Sequence, residues 1–255
     1  MIKLSELVSG YGQSPILKGL TLEIAKGDFC ALLGPNGAGK STLLYTIIGY
    51  LKPESGSVLL AGRDIASAKR SWIARQLAFV PQESLHEFDH TVLETVLMGR
   101  YPYLNLLQAH NAEDYAIVDK VLAQLNLESL KQRWYSELSG GEKQRVLIAR
   151  ALVQETPCLI LDESLSQLDI NHQLEIMALL RDIHRKEGKT ILLVSHNLNL
   201  AANYAETLIF LKEGQVLAKG RAEDLMQPET LKDLFGLYLE TSINPHSNRP
   251  NIIYP

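Results

Sequence analysis

Residues 34–41 read GPNGAGKS, and they match the pattern G-x-x-x-x-G-K-[ST] at every fixed position. An apolar run, 28–33, precedes this stretch, and the sequence STLLYTIIGYL that begins at Ser41 has the pattern of a helix. A phosphate-binding loop requires this context, because its backbone N–H groups must line up between a strand and a helix N-terminus. A glycine-rich strand-to-helix turn without a ligand is the alternative, but it leaves the lysine and the serine unexplained. The stretch therefore predicts a phosphate-binding loop in an α/β fold.

Four side chains in and beyond this loop have predicted chemical roles. Lys40 is expected to reach the β- and γ-phosphates, and the Ser41 hydroxyl to bind Mg²⁺. A loop of this kind needs a second, acidic Mg²⁺ ligand, and the run CLILDE at 158–163 supplies one. Asp162 ends a buried apolar strand, where a carboxylate is costly unless it meets a cation. Glu163 is then the candidate base that polarises water. A helix-capping aspartate is the alternative for Asp162.

A second glycine-rich stretch, LSGGEKQR at 138–145, stands where an apolar helical pattern begins. Ser139 and Glu142 have the spacing of a capping box, so we predict a helix N-terminus here. The cap does not need Gly140 and Gly141, each of which costs a helix about 1 kcal/mol relative to alanine. A bare backbone at a helix N-terminus allows an anionic group to approach closely.

Composition limits the class of protein. The chain has 255 residues, 46% of them hydrophobic, and a net charge of −4, which excludes the basic surface that nucleic-acid-binding proteins usually carry. No apolar run approaches the 18 or so residues that span a bilayer, and the first residues lack the core of a signal peptide. Cys30 and Cys158 stand in short apolar runs, which predicts buried, reduced thiols. We expect a soluble cytoplasmic protein that reaches a membrane only through a partner.

Short apolar runs alternate with amphipathic stretches, as in an α/β fold. Residues 84–153 contain no convincing strand and predict an inserted helical subdomain that carries LSGGE. The core is then formed by 1–83 and 154–236, with a short C-terminal tail at 237–255. We predict strands at 2–8, 20–25, 28–33, 57–61, 77–80, 158–162, 190–195, 207–212 and 215–219, the last two joined by a hairpin that turns at Glu213-Gly214.

Over residues 1–236 the chain resembles the nucleotide-binding subunits of ATP-binding cassette (ABC) transporters. GPNGAGKST resembles their Walker A motif, LILDE their Walker B motif, and LSGGE their signature, which usually has Gln in the fifth place. SQLD at 166–169 resembles the D-loop, from which Asp169 is carried over. Gln82 resembles the Q-loop glutamine, His196 the switch histidine and Tyr11 the aromatic residue that stacks on adenine. The chain departs from the usual pattern at Ser164-Leu165, where Pro-Thr is common, and at Asn197, where aspartate often stands.

The resemblance implies a P-loop ATPase core with a mixed sheet, an antiparallel N-terminal β part and an inserted helical subdomain. It implies ATP and Mg²⁺ as ligands, and a head-to-tail homodimer in which ATP lies between one chain's P-loop and the other chain's LSGGE. The implied catalytic residues are Glu163, His196 and Gln82, and the implied Mg²⁺ ligands are Ser41, Gln82 and Asp162. The implied nucleotide-binding residues are Tyr11, Gly34, Asn36, Gly37, Ala38, Gly39, Lys40, Ser41, Thr42, Ser139, Gly140, Gly141 and Asp169.

Three stretches, TVLETVLMGRYPYL, LDINHQLEIMALLRDI and GRAEDLMQPETLKDLFG, are similar to importers of chelated metals such as iron–siderophore, haem or cobalamin. On this interpretation the chain is a peripheral ATPase on the cytoplasmic face of the inner (cell) membrane. Its partners are integral permease subunits and, indirectly, a substrate-binding protein, with no nucleic acid. A soluble ABC ATPase of cofactor assembly remains an alternative, and so does a nucleotide sensor, although Glu163 argues against the latter.

Other stretches have a plainer interpretation. HEFDH at 86–90 could suggest a metal site, but an exposed loop of the helical subdomain is the preferred interpretation. His172 and His184 are predicted on the exposed face of a helix. The apolar, aromatic run RYPYLNLL at 100–107 is either subdomain core or the lining of a groove for a membrane partner, because exposed apolar patches mark interfaces.

Overall fold

The computed structural model describes residues 1–12, 14–82, 90–105, 108–165 and 168–253. A six-stranded mixed sheet in the order β10-β9-β3-β8-β7-β6 forms the centre. Its inner strands β3, β7 and β8 are buried at every position and almost wholly apolar, because both faces are covered. All neighbours in this sheet are parallel except β9 and β10. The strands are β1 Ile2–Gly10, β2 Pro15–Ile24, β3 Phe29–Leu33, β4 Ser55–Leu60, β5 Arg63–Asp64, β6 Leu77–Val80, β7 Cys158–Asp162, β8 Thr190–Val194, β9 Thr207–Lys212, β10 Gln215–Gly220, β11 Glu240–Ile243 and β12 Pro250–Ile253.

Strands β1, β2, β4 and β5 form a separate antiparallel sheet in the order β2-β1-β4-β5. Its buried side chains pack with one face of the central sheet and with the first helix in a single hydrophobic cluster that includes Leu4, Leu22, Leu43 and Ile160. The mixed central sheet and this antiparallel N-terminal part confirm the predicted fold class.

The other face of the central sheet is covered by helices. Between residues 90 and 153 the described part contains no strand, only an isolated bridge between Thr91 and Trp134. Val96, Val118 and Val146 from this helical region share one hydrophobic cluster with Leu161 of β7. The helices are α1 Lys40–Ile47, α2 Arg70–Ala74, α3 Val92–Leu97, α4 Ala112–Gln124, α5 Gly140–Leu152, α6 Ile170–Glu187, α7 Leu198–Tyr204, α8 Ala222–Leu225 and α9 Pro228–Phe235.

The strand predictions agree with the structure apart from their ends and three omissions, β5, β11 and β12. The hairpin at Glu213-Gly214 is confirmed, because β9 and β10 pair in antiparallel fashion and both turn residues have positive φ. The predicted tail contains the β11–β12 hairpin, which packs on α7. There the Asn199 side chain donates to the Ile252 carbonyl (3.1 Å) and accepts from the Ile252 N–H (2.7 Å).

The cysteines and one histidine test the burial predictions. Cys30 and Cys158 are fully buried free thiols, and burial raises the pKa of both to about 12, so they are unreactive. His184 contradicts the prediction of an exposed helix face. Its ring is buried in the last turn of α6, tilted against Phe29 at 5.7 Å and bonded to the Lys189 carbonyl. Within the described ranges the structure contains no helix with the length and apolar character needed to cross a bilayer.

Candidate nucleotide site

The stretch 34–41 forms the turn between β3 and α1. Gly37 and Gly39 have φ of +78° and +101°, values that side chains rarely allow. Gly39 is the N-cap residue of α1, and among the described residues no side chain caps the first turn of this helix. The N-terminal N–H groups of α1 are therefore left for a ligand.

The loop packs against β2 and the end of β9. A Cβ on Gly34 would lie 2.2 Å from the Leu211 carbonyl oxygen, and one on Gly39 would lie 3.1 Å from Cγ2 of Ile16. The Gly214 N–H donates to the Ala38 carbonyl at 3.0 Å. The β2 strand and the end of β9 thus fix the curvature of the loop, and glycine is required where they approach it.

Lys40 is buried and its Nζ folds back over the loop, donating to the carbonyls of Gly34 (2.9 Å) and Pro35 (3.1 Å). Burial lowers the pKa of Lys40, and the charges of Glu163 and Asp162 partly oppose this shift. The ammonium group is therefore a desolvated cation that lies against the carbonyls of the loop, at the N-terminus of α1, where phosphate oxygens could replace these carbonyls as its partners.

Glu163 is the point at which three of the predicted side chains meet. Gln82 Nε2 donates to its carboxylate at 2.9 Å, His196 Nε2 lies 2.5 Å from Oε1, and Lys40 Nζ lies 3.9 Å from the same oxygen. The backbone of Glu163 is in the left-handed region, with φ of +43°. A non-glycine residue held in this region is typical of functional sites, where surrounding contacts enforce an unfavourable conformation.

Asp162 precedes it at the end of β7 and is 2% exposed, with no hydrogen-bond partner for Oδ1 in the described part of the chain. Burial and, secondly, the charge of Glu163 raise the pKa of Asp162 to about 6, against the lowering effect of Lys40. An orphaned, buried carboxylate oxygen suits a hard cation. No three His, Cys, Asp or Glu side chains of the described residues form a metal cluster. A cation bound at Asp162 would take its remaining ligands from nucleotide phosphates, as Mg²⁺ usually does.

The remaining predicted P-loop and adenine-contact residues surround this cluster. Asn36 is exposed at the tip of the loop, whereas Thr42 is buried in the first turn of α1. Tyr11 is 57% exposed in the turn between β1 and β2, a few residues before the Ile16 side chain that lies next to Gly39. An exposed aromatic ring near the loop is available for stacking on a base.

The segment Ser139–Gly141, here called the signature start, lies apart from the P-loop. Ser139 caps α5, and the reciprocal bonds of its predicted box with Glu142 are present. Of the described residues, none in the P-loop bonds to the signature start, whose hydrogen bonds stay within α5 and its capping box. The predicted LSGGE site is therefore not part of the same cluster within one chain.

Asp169 is the N-cap residue of α6, and it binds His172 twice. The His172 N–H donates to Oδ1 at 3.0 Å, and ring Nδ1 lies 2.8 Å from Oδ2. These two bonds hold the pKa of Asp169 below its usual value, and the bond from the His172 backbone has the larger effect. Ser166 and Gln167 of the predicted D-loop lie outside the described residues, as do Glu83 and four of the five residues of HEFDH.

Several neighbours of the site carry no sequence signal. A cavity of about 270 Å³ opens beside Glu163 and His196, and Leu165, Gln173 and Asn197 contribute to its lining. Gln173 and Leu165 are ordinary helix and core residues by pattern, so only the fold could place them there.

A second cavity, of about 470 Å³, lies between the core and the helical region. Phe79, Met98, Pro102 and Arg150 contribute to its lining, and Tyr101 at its edge is 59% exposed. Part of the run RYPYLNLL therefore faces this groove, while Leu106 and Leu107 lie outside the described residues.

Comparison with known proteins gives consistent matches. Residues 17–166 match the ABC transporter family. A probable siderophore transport system ATP-binding protein of Bacillus subtilis is 39% identical over 98% of this chain and 90% of its own length. A solved metal-chelate type ABC transporter in an inward-facing conformation has a TM-score of 0.85 at 29% identity, covering 99% of this chain and 96% of that one. A dimeric ATP-binding cassette bound to ADP and Pi has a TM-score of 0.76 at 29% identity, covering 87% and 98%.

Proposed function

Because this chain belongs to the ABC transporter family, we propose that it is the ATP-hydrolysing subunit that drives a separate membrane permease. The observation that carries the proposal is the convergence of Lys40, Gln82 and His196 on the carboxylate of Glu163, beside a glycine loop at a helix N-terminus. A cation, an amide, an imidazole and a carboxylate at one point are the groups that phosphoryl transfer to water needs.

In the proposed reaction the loop 34–41 and Lys40 hold the β- and γ-phosphates, and Tyr11 stacks on adenine. Glu163 takes the proton of the attacking water, which is general base catalysis. Gln82 orients this carboxylate, and His196 contacts the γ-phosphate from the other side. Ser41, Gln82 and Asp162 would hold Mg²⁺, and the bound ion would neutralise charge on the β- and γ-phosphate oxygens.

The signature start completes the site from a second copy. It has a helix N-terminus and bare glycine backbone, and among the described residues it makes no hydrogen bond to the P-loop of its own chain. A head-to-tail dimer supplies Ser139, Gly140 and Gly141 to the partner's γ-phosphate. The dimeric cassette with ADP and Pi among the structural neighbours supports this arrangement.

The cargo and the partner are proposed from the relatives. The names of the siderophore-transport relative and the metal-chelate type structure support a metal chelate as cargo. The groove beside Tyr101 suits a permease segment, because exposed apolar surface marks interfaces. We place the chain on the cytoplasmic face of the cell membrane, with the domain division predicted above: a core of 1–83 and 154–236, and a helical subdomain of 84–153.

Substitution of the proposed base tests the enzymatic part. Glu163→Gln should keep ATP binding and lose about 10²–10⁴-fold in hydrolysis rate, the usual contribution of a general base. The variant should also accumulate as an ATP-bound dimer on size-exclusion chromatography. Glu213→Gln is the matched control, because Glu213 also has positive φ but lies in the β9–β10 turn. Near-wild-type hydrolysis by Glu163→Gln would remove Glu163 from the reaction.

A second experiment tests the partner. Tyr101→Asp should leave the ATPase activity of the isolated chain unchanged and prevent its co-purification with a membrane permease. Tyr238→Asp, at another exposed tyrosine, is the control. Failure of the wild-type chain to bind any membrane protein would favour a soluble ATPase of cofactor assembly.

A further inference from the structure

The first turns of α5 and α6 touch at Gly141 and His172. A Cβ built on Gly141 would lie 2.8 Å from His172 Cδ2 and 3.0 Å from its Cγ and Nε2. Carbon atoms in favourable contact are about 3.5–4.0 Å apart, so these distances are overlaps. A Cβ on Gly140 would meet no atom of the described residues within 4 Å. The two adjacent glycines are therefore not equivalent, and only Gly141 is required by a neighbour in its own chain.

The imidazole cannot easily move aside. Its Nδ1 lies 2.8 Å from Asp169 Oδ2, and the His172 backbone N–H donates to the other oxygen of the same carboxylate. The ring is thus fixed between the N-cap residue of α6 and the backbone of α5. A larger residue at 141 would have to break the bond to Asp169 or push the two helix starts apart.

Further contacts join this point to the catalytic carboxylate. Gln173 Nε2 donates to the carbonyl of Leu165 (3.1 Å), just before the D-loop, and to that of Leu168 (2.9 Å), within it. Leu165 is two residues after Glu163 in the chain. One helical turn after His172, Glu175 of α6 pairs with Arg145 of α5 at 2.9 Å. The D-loop, α6 and the start of α5 are connected by polar contacts as well as by packing.

We propose that His172 is a positioning residue whose imidazole, held by Asp169, sets the spacing between the start of α6 and the signature start. Both segments would face the second copy in the dimer, so a fixed spacing presents them together. The inference rests on the proposed function, in which the signature start contacts the partner's ATP. Gly141 makes room for the imidazole, and Gly140 presents bare backbone to the nucleotide.

A double-mutant cycle tests the contact. Gly141→Ala, His172→Ala and the double variant are prepared in a Glu163→Gln background, and ATP-driven dimerisation is measured by analytical ultracentrifugation. Gly141→Ala should weaken dimerisation about tenfold, a typical effect of overpacking. His172→Ala should weaken it less. The double variant should recover to the level of His172→Ala, because the alanine methyl group then occupies the space of the ring.

The matched cycle uses Gly140→Ala with His172→Ala, and it should show no coupling, because nothing lies within 4 Å of a Cβ at Gly140. In every variant a fluorescent ATP analogue should bind the monomer with unchanged affinity, because the P-loop is untouched. A merely structural defect would lower this affinity and the unfolding temperature together. His172→Asn retains a nitrogen for Asp169 and should lie between wild type and His172→Ala.

Two results would overturn the proposal. One is a double variant whose losses multiply, which would mean that Gly141 is needed only by the partner's nucleotide. The other is ATP-driven dimerisation by His172→Ala as strong as that of the Glu163→Gln parent. Failure of the proposed function would look different, because the wild-type chain itself would neither bind nor hydrolyse ATP.

Discussion

Two helices of this protein begin beside glycines, and their first turns are completed in opposite ways. The first turn of α1 follows a left-handed Gly39 and receives no side-chain hydrogen bond. The first turn of α5 follows Ser139 and is closed by reciprocal bonds between Ser139 and Glu142. Every helix leaves its first N–H groups without partners inside the helix. The chain satisfies some of them at α5 and leaves those of α1 for a ligand.

The glycines beside the two helices also differ in whether the structure of the chain itself requires them. Gly37 and Gly39 are required by positive φ, and Gly34 by the carbonyl of Leu211. Gly140 is helical and faces open space. The phosphate loop is thus shaped by the chain's own backbone, whereas no described neighbour of Gly140 accounts for its missing side chain. A motif that looks costly within one chain can indicate a surface used by two.

The two helix starts should differ most in how much ATP affinity is lost when a lysine is removed from each of them. Lys40→Ala should weaken ATP binding by roughly 2–5 kcal/mol, the cost of truncating one partner of a buried charge pair, and should abolish turnover. Lys143→Ala, whose Nζ lies 5.8 Å from the Tyr135 ring centroid, should leave binding to the monomer unchanged. Titration with a fluorescent ATP analogue measures both. Equal affinities would contradict the phosphate-loop assignment.

Mixed dimers test whether the P-loop of one chain and the signature start of the other chain form a single nucleotide site. Lys40→Ala and Gly140→Asp homodimers should each be nearly inactive, since the introduced carboxylate places a negative charge against the γ-phosphate. The mixture contains one site built from intact halves, so hydrolysis should return to a measurable fraction of wild type. Gly140 is a cleaner position than Gly141, because a new side chain meets nothing in its own chain.

Pull-down through two different tags must show that the mixed dimers form. If they form and remain inactive, ATP-dependent cross-linking between cysteines placed at Ala38 of one chain and Glu142 of the other is the second measurement. Absence of both hydrolysis and cross-linking would mean that α5 does not serve the partner's nucleotide.

Alanine at each glycine should change stability with opposite signs. Gly37→Ala puts a Cβ on a residue with φ of +78° and should destabilise the fold by about 1 kcal/mol. Gly140→Ala is compatible with the helix and should stabilise it by roughly 0.5 kcal/mol, through the unfolded state. Thermal unfolding of the nucleotide-free chain measures both, with about 2–4 °C expected for each kcal/mol. Destabilisation by Gly140→Ala would show that its backbone is constrained within the chain.

The smallest effect concerns Glu142. Bonds from the Ser139 side chain and then its backbone hold the pKa of Glu142 below its usual value. Since the folded-state pKa is depressed, this stabilisation is present above the ordinary pKa and is lost as pH falls through the lower one. Glu142→Gln should therefore flatten the fall in unfolding temperature between about pH 5 and pH 3. At neutral pH the cost should stay below about 0.5 kcal/mol, because the carboxylate is exposed.

The sequence is informative wherever a structure is made by neighbouring residues. The loop 34–41, the box at Ser139 and the turn at Glu213-Gly214 depend on local contacts, and all three match their patterns. The β11–β12 hairpin does not depend on local contacts alone, because Asn199 and Asn203 of α7, distant in sequence, bond to it. Its polar strand Glu240–Ile243 carries no alternating apolar pattern that would indicate a sheet.

In the candidate site, too, the sequence identifies single residues but not the contacts between them. Each motif identifies its own residue, but the meeting of Gln82 and His196 on Glu163 depends on how β6, β7 and β8 are ordered in the sheet. The contact of His172 with Gly141 is likewise invisible to pattern, since it joins two helix starts that are far apart in sequence. His184 was mispredicted because the amphipathic pattern of α6 does not show that its last turn is covered by Phe29.

The position of β3 in the sheet determines when the phosphate loop can take shape during synthesis. β3 ends just before the loop, yet its neighbours β8 and β9 lie at Thr190–Val194 and Thr207–Lys212. The β1–β2 hairpin can close as soon as it is made, whereas β3 waits for strands translated long after it. The Leu211 carbonyl that presses on Gly34 arrives with the last of them. Contacts of such long sequence separation form late, so a nascent chain carries the complete GPNGAGKS sequence for most of its translation without a nucleotide site.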